Sequence, residues 1–167
     1  MQVATTLNGR DILVDAEPHE LLLDLLRDRF GLTGAKRSCE VQVCGTCTVL
    51  LDGAPVSACT LLVADTDGRS ILTIEGLREL AAFPAISDAF ERHAAVQCGF
   101  CSPAMALTIH SLLESGDLVD ERSIRDGLSG NLCRCTGYRG ILAAAADLAG
   151  VTPADANVAT HRAEPRP

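Results

Sequence analysis

The chain has 167 residues, 47% of them apolar and only 3% aromatic, with no Trp and eight Cys. Its 14 Lys and Arg face 22 Asp and Glu, a formal charge of −8, which argues against a nucleic-acid or anionic-membrane surface, because such binding begins with basic side chains neutralising phosphate. No apolar run reaches the roughly 18 residues of a bilayer span, and Met1 to Thr6 offers no basic n-region, apolar h-region or twin-Arg pair, so a cytoplasmic chain with metal-binding rather than disulfide-bonded cysteines is expected.

Val3 to Leu7 and Asp11 to Val14 read as two short strands joined at Asn8-Gly9, a pair that accepts the positive φ values of a type I′ hairpin turn. Pro18 precedes a helical run from Glu20 to Phe30, with Gly31 as its C′ residue and Leu22, Leu25, Leu26 and Arg29 on the stripe facing the sheet. Gly34 to Thr46 lacks periodicity and holds Cys39 and Cys44. Cys47 to Leu51 reads as a strand, Asp52-Gly53 as a second hairpin turn, and Ser70 to Ile74 as a last strand. Hairpin, helix, loop, hairpin and strand make a small α+β sheet domain.

Beyond Gly76 the pattern turns helical. Helices are expected from Pro84 to about His93, from a Ser102-Pro103 cap and first turn to Gly116, from an Asp120 cap to about Leu128, and from Tyr138 to Ala149. Four short helices with tight connections suggest an antiparallel bundle. The predicted division is residues 1–76, residues 77–151 and a tail, 152–167, that is mobile or spread over a partner. Two halves this small, with few aromatics, bury little surface, so the cysteines should support folding as well as function.

The cysteines fall into two quartets. Cys39-x4-Cys44-x2-Cys47 with a distant Cys59 has the plant-type [2Fe–2S] spacing. Gly45 and Thr46 keep bulk away from a loop that must wrap its backbone N–H groups around sulfur. Cys98-x2-Cys101 and Cys133-x1-Cys135 each precede a predicted helix, whose N-terminus favours thiolates; spacing alone does not identify their metal. Disulfides are disfavoured because Cys-x-Cys neighbours rarely bridge. Structural zinc is disfavoured because the x4 and x1 gaps fit zinc knuckles poorly. His19, His93, His110 and His161 lack the spacing of a Rieske centre.

Gln97-Cys98-Gly99-Phe100-Cys101-Ser102-Pro103 and Gly130-Asn131-Leu132-Cys133-Arg134-Cys135-Thr136-Gly137-Tyr138, following the plant-type quartet, resemble the small iron–sulfur subunit of the molybdenum hydroxylases. This is the family of xanthine dehydrogenase, aldehyde oxidoreductase and aerobic carbon monoxide dehydrogenase, and the likeness covers about residues 1 to 150. It implies a β-grasp ferredoxin domain followed by a four-helix bundle, each with one [2Fe–2S] cluster. It further implies a relay from a molybdopterin cofactor, expected in its dinucleotide form and held mainly by a large subunit, to FAD in a medium subunit of a dimer of heterotrimers. Cys98, Cys101, Cys133 and Cys135 would hold the proximal cluster, and Cys39, Cys44, Cys47 and Cys59 the distal one. Gln97 and Cys135 match the residues that contact the pterin. Ser38, Thr46 and Ala104 depart from the family's usual glycine, alanine and glycine; hydroxyls of Ser38 or Thr46 could shift the distal potential. Arg134 would tune a cluster or pair with a partner, and Lys36 and Arg37 would face the flavin subunit or simply be solvated. The alternatives are a free two-cluster ferredoxin and a zinc-stabilised interaction module.

Overall fold

The computed structural model describes residues 1–152; most of the predicted tail, and His161, lie outside them. Strands β1 (Gln2–Leu7), β2 (Arg10–Asp15), β3 (Thr48–Leu51), β4 (Ala54–Ser57) and β5 (Ser70–Leu72) form one sheet in the order β2-β1-β5-β3-β4. Only β1 and β5 run parallel. Both hairpins turn as expected: Asn8 (φ 51°) and Gly9 (φ 77°), then Asp52 (φ 50°) and Gly53 (φ 83°), adopt the paired left-handed conformations of a type I′ turn.

The expected helix over Glu20–Phe30 is shorter and differently wound. Helix α1 spans Leu22–Asp24 and runs into a π turn over Leu25–Arg29. Leu21 instead bridges to Leu62, and the Leu22 and Leu23 amides donate to the Leu61 and Ala58 carbonyls. Those first amides are therefore used by the neighbouring loop. The wider turn brings Leu22, Leu23, Leu25 and Leu26 inward together. Arg29 turns outward to Glu20 and the Asp15 carbonyl, so it leaves the predicted stripe.

The last strand also ends early. Thr73 caps a short helix α2 (Ile74–Leu77), so Ile74 is helical. Helices α3 (Phe83–Arg92), α4 (Ser102–Ser115), α5 (Glu121–Gly127) and α6 (Arg139–Ala149) follow. Asp120 accepts the Ser123 N–H in a reciprocal cap, as the sequence suggests. The α4 cap is Cys101 rather than Ser102, one residue earlier than expected. Among the described residues no helix is long and apolar enough to cross a membrane.

Two hydrophobic cores result. Val3, Val14, Leu22, Leu26, Val49 and Ile71 centre the sheet core, which includes Cys47 and Cys59. Ile86, Met105, Ile109, Ile124, Ile141 and Ala145 centre the helical core, which includes Cys101. Helix α4 is buried continuously from Ala104 to Ile109, more than an amphipathic stripe, because it packs on α5, α6 and the sheet at once. Leu50 of β3 points into the helical core, and Ser111 of α4 donates to the Gly53 carbonyl.

Candidate iron–sulfur centres

The loop after the π turn carries Cys39 and Cys44, the turn leading into β3 carries Cys47, and the stretch after β4 carries Cys59. Glu40 and Gln42 both take positive φ, which curls this loop until the Val43 and Cys44 amides point at the Cys39 sulfur, at 3.4 and 3.3 Å. Hydrogen bonds from the Val41, Cys44 and Val43 backbone bring the Cys39 thiol down to about 6. Cys47 behaves oppositely: burial, with the facing Cys59 thiol, pushes it up to about 11. Cys39 thus meets Cys44, and Cys47 meets Cys59.

The second quartet has the same two-by-two arrangement. Cys135 Sγ lies 3.4 Å from Cys98 Sγ, far beyond the roughly 2.05 Å of a disulfide, and Cys101 faces Cys133. All eight cysteines are free of disulfides. The backbone at Phe100 lowers the Cys98 thiol, and its contact with Cys98 raises Cys135. Cys101, at the N-terminus of α4, ought to favour a thiolate; burial outweighs that and takes it to about 12. Burial also acts upward on Cys133, but bonds from the Thr136 hydroxyl and nearby amides leave it lowered. The Cys133–Cys135 pair precedes α6 as expected, with the helix starting one residue later than the predicted Tyr138. Gly137 and Tyr138 are both left-handed and delay α6 to Arg139.

Among the described residues no three His, Cys, Asp or Glu side chains are gathered tightly enough for a single ion. Four sulfurs in two facing pairs, with backbone amides aimed at one of them, suit a centre of two irons better than a zinc knuckle. The donor sets therefore fit iron–sulfur clusters. Cys47, Cys59 and Cys101 are buried, whereas Cys98, Cys135 and the adjacent Gln97 are exposed on one edge.

The two loops touch. The Leu132 amide donates to the Cys44 carbonyl at 2.8 Å. Asn131, only 4% exposed, donates to the Gly45 carbonyl at 2.9 Å and to Thr48 Oγ1 at 3.1 Å, and accepts from Thr108 Oγ1 at 3.0 Å. Gly45 is required there: its φ is +65°, and a Cβ would run into the Gly130 carbonyl. The Tyr138 hydroxyl accepts the Cys133 N–H and donates to the Asn131 carbonyl. Asn131, Thr136 and Tyr138 have no role assigned from the sequence; the only signal was polar side chains one to three residues from a candidate ligand.

Lys36 Nζ donates to the Thr33 carbonyl, and Arg37 pairs with Asp24, Asp28 and Glu40, so both are engaged within the chain. Ser38 is exposed and makes no hydrogen bond to sulfur among the described residues, unlike Thr46. Arg134 is exposed without a salt bridge among them. A groove lined by Lys36, Ile74, Glu75, Phe83, Phe90 and Pro103 runs between the two halves and contains no cysteine.

Known proteins bear on this arrangement. Residues 14–97 match the family model described as 2Fe-2S iron-sulfur cluster binding domain, and residues 73–146 the [2Fe-2S] binding domain. The chain is 44% identical over 150 residues to the nicotine 6-hydroxylase small subunit of Paenarthrobacter nicotinovorans, covering 90% of each. It is 39% identical to the xanthine dehydrogenase iron-sulfur-binding subunit of Escherichia coli O157:H7, covering 84% of this chain and 89% of that one. A chain of quinoline 2-oxidoreductase from Pseudomonas putida 86 superposes with a TM-score of 0.83 at 43% identity, over 90% of this chain and 94% of that one. Aldehyde oxidoreductase from Desulfovibrio gigas matches at 0.82 and 36%, over 90% of this chain but 17% of its own. The chain belongs to the family of small iron–sulfur subunits of the molybdenum hydroxylases and is an oxidoreductase subunit that binds [2Fe–2S] clusters.

Proposed function

We propose that this chain is the electron-transfer subunit of a molybdenum-dependent hydroxylase or dehydrogenase, assembled with a large molybdopterin subunit and a medium FAD subunit in a dimer of heterotrimers. Residues 1–76 form a β-grasp ferredoxin-like domain that holds the distal cluster on Cys39, Cys44, Cys47 and Cys59. Residues 77–151 form a four-helix-bundle domain that holds the proximal one on Cys98, Cys101, Cys133 and Cys135. When bound, the clusters carry electrons singly from the molybdenum–pterin centre to FAD. We place the assembly in the cytoplasm, whose thiol pool keeps cysteines available for metal.

The observation that carries the reading is that the loops holding the two quartets touch at Leu132 and Cys44, with backbone amides or hydroxyls aimed at the sulfurs of Cys39, Cys44 and Cys133. In it the Val43 and Cys44 amides offset negative charge on Cys39, while buried Cys47, Cys59 and Cys101 exclude water from one side of each centre. Gln97 and Cys135, on the exposed edge, offer an amide and a sulfur to the pterin, taken in its dinucleotide form. Purification of the native assembly tests the reading: iron near four per chain, with molybdenum and flavin co-purifying, is expected. A coloured monomer without either partner would make the chain a free ferredoxin. Gln97→Ala should keep both cluster EPR signals yet slow their reduction by substrate; unaltered kinetics would remove its cofactor role.

A further inference from the structure

Two threonine hydroxyls meet cysteine sulfur in this fold, one in each quartet. Thr46 Oγ1 lies 3.2 Å from Cys44 Sγ, and Thr136 Oγ1 lies 3.0 Å from Cys133 Sγ. Thr46 is only 5% exposed, and the Cys44 sulfur is the sole partner of its hydroxyl among the described residues. The Thr136 oxygen already accepts the Tyr138 N–H at 3.1 Å, which leaves its proton free to point at Cys133. A metal-bound cysteine carries no proton, so in both pairs the hydroxyl must be the donor. The two cysteines concerned are also those that flank the contact between the halves, where the Leu132 amide, next to Cys133, meets the Cys44 carbonyl.

We propose that Thr46 and Thr136 are a matched pair of potential-setting residues, each donating a hydrogen bond to the ligand beside the contact between the two cysteine loops. This rests on the ligand assignment proposed above. Adding one electron to a centre increases the negative charge on its sulfurs, and no proton needs to move. An O–H dipole aimed at sulfur therefore stabilises the reduced state more than the oxidised one and raises the potential. Because each centre has its own hydroxyl, removing one changes the difference between them and hence the direction in which electrons collect.

EPR-monitored redox titration of the assembled enzyme tests this. Thr46→Val should shift the distal midpoint downward, by an amount equivalent to about a tenfold change in electron distribution, 59 mV for one electron. Thr46→Ser should restore it, and the proximal midpoint should stay where it is. Thr136→Val should move the proximal midpoint alone. Should the valine side chain prevent loading of the distal centre, Thr46→Ala, which adds no bulk, must show the same downward shift. Both signals present with midpoints unmoved in Thr46→Val or Thr46→Ala would overturn the proposal while leaving the ligands intact. Failure of the ligand assignment looks different: the unsubstituted protein would lack two distinguishable signals.

Discussion

Asn131 illustrates how much one buried amide can fix. Its Nδ2 donates twice, to Gly45 and Thr48, and its Oδ1 accepts from Thr108, so a single side chain ties β3, α4 and both cysteine loops. Gly45 cannot carry a side chain into that gap, because a Cβ there would meet the Gly130 carbonyl. Asn131→Ala leaves the Gly45 carbonyl its bonds from Thr48 but strips the buried Thr108 hydroxyl of its partner, and such an orphan costs about 1–3 kcal/mol. The variant is expected to lose stability in that range and to expose the neighbouring Leu132 amide, which donates to Cys44. Thermal melts and hydrogen exchange check it. An unchanged protection of Leu132 would mean the two loops hold together without the asparagine.

Local chemistry made the elements with strong punctuation readable. Asn8-Gly9 and Asp52-Gly53 dictated turns because their φ requirements are local, and Asp120 dictated a helix start because the Ser123 N–H that its carboxylate accepts lies three residues away. The cysteine spacing is a local signal of the same kind, and it sorts the eight residues into two sets of four. What stayed hidden depends on distant groups. The Leu22 and Leu23 amides are captured by carbonyls from beyond β4, and the left-handed Tyr138 delays α6 while its hydroxyl braces Cys133. The α3–α6 contact is another such pairing. Asp147 accepts from Arg92 at 2.7 Å and meets His93 at 3.0 Å, and these hold its carboxyl below the usual range. A depressed folded pKa contributes stability above the unfolded value, and that contribution disappears as pH falls through the folded one. The Tm gap between the parent and Asp147→Asn should therefore narrow as pH drops from about 5 to below the ordinary aspartate value of about 3.9. A gap constant across that interval would show that the pair does nothing for stability.

Each half of the molecule has a core of its own, and each core incorporates its cysteines: Cys47 and Cys59 in the sheet half, Cys101 and the adjoining Cys133 in the helical half. Such small cores with so few aromatics benefit from cross-links. On the proposed assignment, a cluster on Cys39, Cys44, Cys47 and Cys59 would tie a loop to the far side of a hairpin, and one on the second quartet would tie α4 to the approach to α6. By chain entropy alone, a link closing loops of this size contributes about 3 kcal/mol. With those ligands, removing iron would also leave thiols whose negative charge the metal had balanced, and burial favours protonation at Cys47 and Cys101. Cys44→Ser should accordingly lose the distal EPR signal and loosen the sheet half first, read as faster exchange of β3 and β5 amides, with the helical half affected less. Anaerobic chelation of all iron should loosen both. If Cys44→Ser instead releases the proximal signal, or exchange rises only in α3–α6, the cysteines have been sorted into the wrong halves.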